Sequence, residues 1–320
     1  MCTALSFRRA NFYFCRNLDY FYNFGEEIVT IPRHFKLGFS NGENSPTHYA
    51  IIGMAKIKNG YPLLFDGCNE MGLCLAGLNF EGYACFNPPT AHKNNLRQYE
   101  IMPYILSKCK SADEAADILE DVNMTDGGFD SETPPSQLHY LISDKEKSIV
   151  FEFTKRGGQF FENPFDILTN NPPFEYHKHN MANFMQLSTE NNTSEFGYTC
   201  NISPYSNGMG AMGLPGDFSS PSRFARGAFV LKNAKSYNDT AKNINQCFHI
   251  LSAVEQPYGC VKARDGYMST IYSSVIDTEN LTYYCKRYDS NTMYSARLWN
   301  EHLEGDEILR YAPMGKVQSR

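Results

Sequence analysis

Strand-like segments crowd the front of this chain, and helical ones follow only later, in groups. Residues 2–7, 12–17, 27–32, 49–57, 62–66 and 73–79 are β-prone runs separated by short polar breaks. A helix-like segment spans 96–109 despite Pro103, and a second helix opens at Ser111-Ala112-Asp113-Glu114. There serine stands at the N-cap with glutamate three residues on, the signature of a capping box. Ala115, Ile118, Leu119 and Val122 then fall on one face. Strands resume at 138–143, 148–154, 158–162 and 166–169, and a glycine-rich loop covers 207–216. Helices are expected at 221–233 and 239–254, the second with Ala241, Ile244, Phe248 and Leu251 on one stripe. Strands at 268–276 and 280–288, joined by the turn Asp277-Thr278-Glu279, close the series. Runs of hairpins with helices grouped between them call for antiparallel sheets covered by helices, an α+β arrangement, and exclude alternating βαβ units. No repeat, low-complexity tract or linker divides the chain, so residues 2–320 are read as one domain.

The 320 residues, 42% hydrophobic and 14% aromatic, can enclose a large core. A net charge of −6 without a dense basic stripe argues against nucleic acid, whose phosphates demand a cationic face. Apolar runs such as 49–54 are strand-sized, too short to span a membrane, and the N-terminus lacks the order of a signal peptide, so a cytoplasmic protein is expected. In that compartment the sequons at Asn123 and Asn191 carry no meaning. The ten cysteines contain no C-x-x-C pair and read as small buried apolar residues. His177 and His179 sit two apart, but no Cys or carboxylate cluster completes a metal site, so they are assigned to the surface. No metal or organic cofactor is expected.

Cys2 directly follows the initiator methionine in MCTALSF. A small second residue lets Met1 be removed, leaving one residue with both a thiol nucleophile and an α-amino base. The bland alternative is a frayed terminal residue. The runs 2–7 and 12–17 read as a hairpin. With a three-residue loop at Arg8 to Ala10, Phe7 pairs with Asn11 and Cys2 falls opposite Arg16; a two-residue loop moves the partner by one position. Directly opposed residues lie within side-chain reach, and a guanidinium beside a thiol favours the thiolate. Asp19, three residues on, can accept a hydrogen bond from the amine or thiol. The alternative for Arg16 and Asp19 is a surface ion pair. An accessible thiolate here would also oxidise readily.

Three further segments combine strand ends with amides or a shaped loop. In Ala76-Gly77-Leu78-Asn79-Phe80 a strand ends in an asparagine, either a donor to a developing oxyanion or a turn residue. In Leu168-Thr169-Asn170-Asn171-Pro172-Pro173 a strand ends at two amides before prolines force the chain out. Gly213-Leu214-Pro215-Gly216-Asp217-Phe218-Ser219-Ser220-Pro221-Ser222-Arg223 joins a tight turn to a helix start and delivers Arg223, which could equally be a structural ion-pair partner.

Taken together and in this order, MCTALSF, CRNLDY, AGLNFEGYA, LTNNPPF and GLPGDFSSPSRF resemble the choloylglycine hydrolase family of bile salt hydrolases and penicillin V acylases, over essentially the whole chain. The resemblance implies an N-terminal nucleophile hydrolase: an αββα sandwich of two antiparallel sheets between helical layers, assembled as a homotetramer. It implies Cys2 as nucleophile, Arg16 and Asp19 tuning and orienting it, Asn79 and Asn170 shaping the oxyanion site, and Arg223 completing the polar set. The asparagine following Leu-Thr is the family's, which selects Asn170 over Asn171. Leu18, Phe24 and Phe129 match pocket-loop positions.

The implied substrates are glycine- or taurine-conjugated bile salts, cleaved through a thioester acyl-enzyme. A second amine replacing water would give acyl transfer, so the two activities are not separable in sequence. A steroid pocket should be apolar and aromatic. The run Tyr20-Phe21-Tyr22-Asn23-Phe24 supplies such surface, or else core packing. Penicillin V acylases often carry an aromatic residue where this chain has Asn79, which favours bile salts over penicillin V or another N-acyl amide. Lys58 stands where family members can carry an aromatic pocket residue, and either attracts an anionic tail or points into solvent. The loop Asn207-Gly208-Met209-Gly210 resembles a selectivity element for glycine conjugates. A rival of another class, a non-catalytic bile-salt-binding protein, needs a retained Met1 or a broken constellation; all six carried positions are present.

Overall fold

A computed structural model describes residues 1–191, 202–290, 292–300 and 303–311. Two antiparallel sheets stack face to face. The first runs in the order 167–168, 2–8, 12–20, 266–277, 282–287, 293–297, with 261–263 folded back on 266–277. The second has eight strands in the order 157–162, 148–154, 138–143, 74–79, 61–69, 51–58, 27–31, 309–310. Helices Ser220–Asn233 and Thr240–Ser252 cover the outer face of the first sheet, and Ile101–Lys108 and Ala112–Glu120 cover the second. This is the αββα sandwich, with apolar side chains filling the space between the sheets and under each helical pair.

Local chemistry accounts for most element boundaries. Ser111 Oγ accepts from Glu114 N at 3.2 Å, half of the expected capping box; the Glu114 carboxylate accepts from Lys110 N instead of the N-cap amide. That helix ends at Glu120, so Val122 opens a short strand, Val122–Thr125, paired in parallel with Asn94–Arg97. The expected helix over 96–109 therefore begins only after a strand and a 3₁₀ turn. In Thr240–Ser252 the buried stripe is Asn243, Ile244, Cys247, Phe248 and Leu251, which leaves Ala241 in solvent. Asp277 Oδ1 caps the turn to the next strand by accepting from Glu279 N and Asn280 N. Elements the sequence reading missed include the helix Phe174–Asn180 and the strands 37–38, 44–45, 94–97, 122–125, 261–263, 293–297 and 309–310.

Candidate active site

The site is built on the first hairpin. Its loop is Arg9-Ala10-Asn11, one residue later than expected, so Arg8 pairs with Phe12, Cys2 faces Leu18 and Arg16 faces Ala4. The shift moves every partner by two positions, which leaves each side chain on its original face. Cys2 and Arg16 are therefore diagonal neighbours, with Arg16 Nη2 3.5 Å from Cys2 Sγ.

Even-numbered residues of this hairpin point between the sheets. Arg16 crosses that space: Nη2 donates to Gly77 O at 2.7 Å, and Nη1 donates to Phe65 O. Phe65 is the extra residue of a β-bulge, since Met54 pairs with Asp66 and Ala55 with Leu64. A bulged residue is left out of the ladder, so its carbonyl is available to the guanidinium. Behind Arg16 lies Asp66, 3.6 Å from Nη1 and fully buried.

Odd-numbered residues point the other way, toward the helices. Asn17 Nδ2 donates to Leu251 O at 3.0 Å, and Asp19 Oδ1 accepts from Thr270 Oγ1 at 2.6 Å. Arg223, from the first turn of Ser220–Asn233, is fully buried on this side. Its Nη1 donates to Cys2 O at 2.6 Å and Thr3 Oγ1 at 2.7 Å, its Nη2 donates to Asn170 Oδ1 at 2.7 Å, and it stands 3.8 Å from Asp19 Oδ2. Cys2 thus lies on the seam between two cationic systems, with its thiol on the inter-sheet side and its main chain held from the helix side.

Asn170, at the end of the short strand Ile167–Leu168 and the Thr169 that follows, closes the seam. Its Oδ1 accepts from Cys2 N at 2.7 Å, and its Nδ2 donates to Asn79 O at 2.8 Å. Asn79 ends its own strand as expected, and joins the set through its main-chain carbonyl. Ser220 Oγ accepts from Asn170 N at 2.8 Å, and the Asn170 carbonyl meets His177 Nε2, also at 2.8 Å. His177 therefore belongs to the interior, contrary to its assignment to the surface. The helix from Phe174 buries Phe174 and His177 on one face, and the imidazole stacks on Phe224 at 4.8 Å. Met1 precedes Cys2 as one more rung of the ladder: its amino group donates to Asp19 O at 2.8 Å and its carbonyl accepts from Asp19 N at 3.0 Å. With Met1 in place Cys2 is 5% exposed.

Burial sets the charge states. It lowers the pKa of the Met1 amino group and raises that of Asp19, against the pull of Arg223 and the amine. It works against the Arg16 cation too, yet Tyr272, Cys2 and Asp66 outweigh it and the Arg16 pKa is raised. Burial drives His177 down to about 4, so its ring is neutral at pH 7 and donates from Nε2 to Asn170 O.

Phe24 and Phe129 pack at two points along the strand Tyr61–Asn69. Leu18 is buried directly across from Cys2. Phe24 packs on Tyr20, Tyr22 and Phe65, the last at 5.2 Å, and so abuts the residue whose carbonyl binds Arg16. Phe129 packs farther out on that strand, 5.8 Å from Tyr61 and 5.3 Å from Tyr99. Lys58 is not a free cation facing solvent. Its Nζ pairs with Asp130 at 2.7 Å and donates to Thr133 Oγ1 at 2.8 Å, tying the segment that carries Phe129 to the strand Ile51–Lys58.

Among the described cysteines, Cys2, Cys15, Cys68, Cys74, Cys109, Cys247 and Cys285 are buried, Cys85 is partly buried and Cys260 is exposed; Cys200 lies outside the described residues. Among the described residues, no helix is long and apolar enough to cross a membrane.

Comparison with known proteins gives the family and the fold. A bile salt hydrolase/transferase of Lactiplantibacillus plantarum is 40% identical over 319 residues, covering 99% of this chain and 98% of that protein. The crystal structure of a variant of the conjugated bile acid hydrolase from Clostridium perfringens superposes with a TM-score of 0.89 at 32% identity, covering 99% of both chains. Penicillin V acylase from Agrobacterium tumefaciens shares the fold, with a TM-score of 0.77 at 18% identity over 97% of this chain and 90% of that one. Residues 2–311 match the family of linear amide C–N hydrolases named for choloylglycine hydrolase, and this chain belongs to that family.

Proposed function

We propose that this hydrolase cleaves the amide bond of glycine- or taurine-conjugated bile acids, with Cys2 as its N-terminal nucleophile once Met1 is removed. The observation that carries the reading is the double hold on Cys2: Arg16 Nη2 at 3.5 Å from the thiol and Asn170 Oδ1 at 2.7 Å from the main-chain nitrogen. Removal of Met1 turns that nitrogen into an amine already anchored by Asn170, with its lone pair available to take the thiol proton.

The chemistry follows. Cys2 sulfur attacks the amide carbonyl as its proton passes to the α-amine, and the carbonyl oxygen becomes an oxyanion. An Asn79 side-chain donor at the strand end stabilises that charge, an interaction worth about 3 kcal/mol for a well-placed group. The intermediate collapses with cleavage of the C–N bond, and the ammonium returns its proton to the leaving glycine or taurine nitrogen. Water, deprotonated by the amine, then attacks the thioester and releases the bile acid and the thiol. Arg16 stabilises the sulfur charge. Arg223 holds the main chain of Cys2 from the far side, and Asp19 stands beside it as its counter-charge. An amine replacing that water would give acyl transfer by the same steps. Leu18, Phe24 and the segment of Phe129 form the apolar wall for the sterol. The reading includes a homotetramer working in the cytoplasm, which light scattering and cell fractionation check.

The full-length relatives named for bile acid substrates favour this over penicillin V acylase, whose representative supports the fold alone. Glycocholate, taurocholate and penicillin V, assayed in parallel with Cys2→Ala as control, test the reading. Fast Cys2-dependent release of glycine or taurine is expected. Preference for penicillin V would overturn the substrate assignment.

A further inference from the structure

Two β-bulges converge behind Arg16. The first, at Phe65, lies next to Asp66. The second lies in the strand Gly266–Asp277, where Thr270 pairs with Asp19 and Tyr272 with Leu18, leaving Ile271 as the extra residue. Without that extra residue Tyr272 would pair with Asn17 and face the helices, because side-chain direction alternates along a strand. The bulge turns it between the sheets, where its hydroxyl donates to Asp66 Oδ2 at 2.6 Å. From the next strand, Tyr283 donates to Asp66 Oδ1 at 2.7 Å. Asp66, Tyr272 and Tyr283 have no exposed surface, and Arg16 has 1%.

A carboxylate this deep needs a reason to stay ionised. Burial raises the Asp66 pKa, and Arg16 and the two hydroxyls oppose it. The guanidinium does not depend on Asp66 for its place, since Gly77 O and Phe65 O hold it by direct hydrogen bonds while the carboxylate stands 3.6 Å off. What Asp66 adds is charge. When the Cys2 thiol is protonated, Arg16 would otherwise be a buried cation without a counter-ion.

We propose that Asp66, held by Tyr272 and Tyr283, is the counter-charge that tempers Arg16 and so sets the pH range over which Cys2 becomes a reactive thiolate. It touches neither the substrate nor the thiol, and acts as a positioning residue through Arg16. This rests on the reading of Cys2 as the nucleophile. Other charged or titratable groups lie near the pair. Arg223, Asp19 and the terminal amine surround Cys2, while Cys285, Glu26 and Arg287 lie near Asp66 and its tyrosines. Asp66 is the group that meets Arg16 as an ion pair from the second sheet.

The test is the pH dependence of Cys2 alkylation by iodoacetamide, followed on the N-terminal peptide by mass spectrometry so that exposed Cys260 does not interfere. Asp66→Asn removes the negative charge but keeps the shape. Its alkylation midpoint is expected about one pH unit below that of the unsubstituted protein, as for a thiol beside a cation stripped of its partner. The acid limb of kcat/KM should move the same way. Tyr272→Phe and Tyr283→Phe, each removing one donor to the carboxylate, should give smaller shifts in the same direction and carry the test if Asp66→Asn does not fold. An unchanged or raised midpoint in folded variants overturns the proposal. Absence of pH-dependent alkylation at Cys2 in the unsubstituted protein would instead remove the nucleophile reading beneath it.

Discussion

Asn170 Oδ1 accepts two hydrogen bonds at 2.7 Å, one from Cys2 N and one from Arg223 Nη2. A single oxygen therefore registers the start of the first strand against the helix Ser220–Asn233, and Arg223 fastens the same joint again through Cys2 O.

Truncating this joint should cost catalysis more than binding. Asn170→Ala frees the nitrogen of Cys2, and a nucleophile displaced by about 1 Å loses roughly 10²-fold in rate. Steady-state kinetics should show kcat reduced on that order with KM little changed. Arg223→Met should also lower thermal stability, because it leaves Asp19 buried without its cation.

Gly53 has no room for a side chain. A Cβ there would stand 2.4 Å from Asp66 O and 3.0 Å from Gly67 Cα, both main chain. Gly53→Ala is expected to cost about 1–3 kcal/mol by overpacking and to disturb the bulge that presents Phe65 O to Arg16. Urea unfolding measures the first effect, and the rate of Cys2 alkylation the second.

His177 ties stability to pH. Its folded pKa of about 4 lies below the 6.5 of a free histidine, so between those values the unfolded chain takes up a proton that the folded one refuses. Stability should therefore fall as pH drops from about 6.5 to about 4, by roughly 3 kcal/mol from this group. His177→Gln, which retains a donor toward Asn170 O, should flatten that part of the curve. Unfolding followed at several pH values in both proteins checks it.

Lys58 and Asp130 should behave as an acid-sensitive latch. The hydrogen bond from Lys58 holds the Asp130 carboxyl below its ordinary pKa, so the stabilisation is present above the usual carboxylate value and lost as pH falls through the folded one. Hydrogen-exchange protection across residues 128–134, taken relative to the intrinsic rate at each pH, should fall in that acid window. At neutral pH, Lys58→Met should lower it as well, with KM for conjugated bile acids rising by no more than a few-fold, as partly exposed ion pairs contribute little.

The segments of this candidate site were legible in the chain because they sit at strand ends and turns that punctuate the sequence: Cys2 before a hairpin, Asn79 and Asn170 at strand termini, Arg223 after a Gly-Pro loop; the choice of Asn170 over Asn171 and the residue roles came from the family resemblance. Asp66 and Tyr272 were not legible, because their meeting depends on two bulges, and one inserted residue reverses which face a side chain takes. His177 was weighed as a metal ligand and assigned to the surface. Its spacing of three from Phe174, just after two prolines, is a helical signal that would have put both on a buried face. The hairpin loop was misplaced by one residue, an error that spared the site because pairing parity survived.

The central claim is that a processed Cys2 carries the acyl group. Intact mass before and during turnover of glycocholate, with acid quenching and mapping of the N-terminal peptide, tests it most directly. The account predicts a protein lacking Met1 and a transient cholyl thioester on Cys2, absent in Cys2→Ala. Full turnover by a protein that retains Met1, or an acyl group on any other residue, would contradict it.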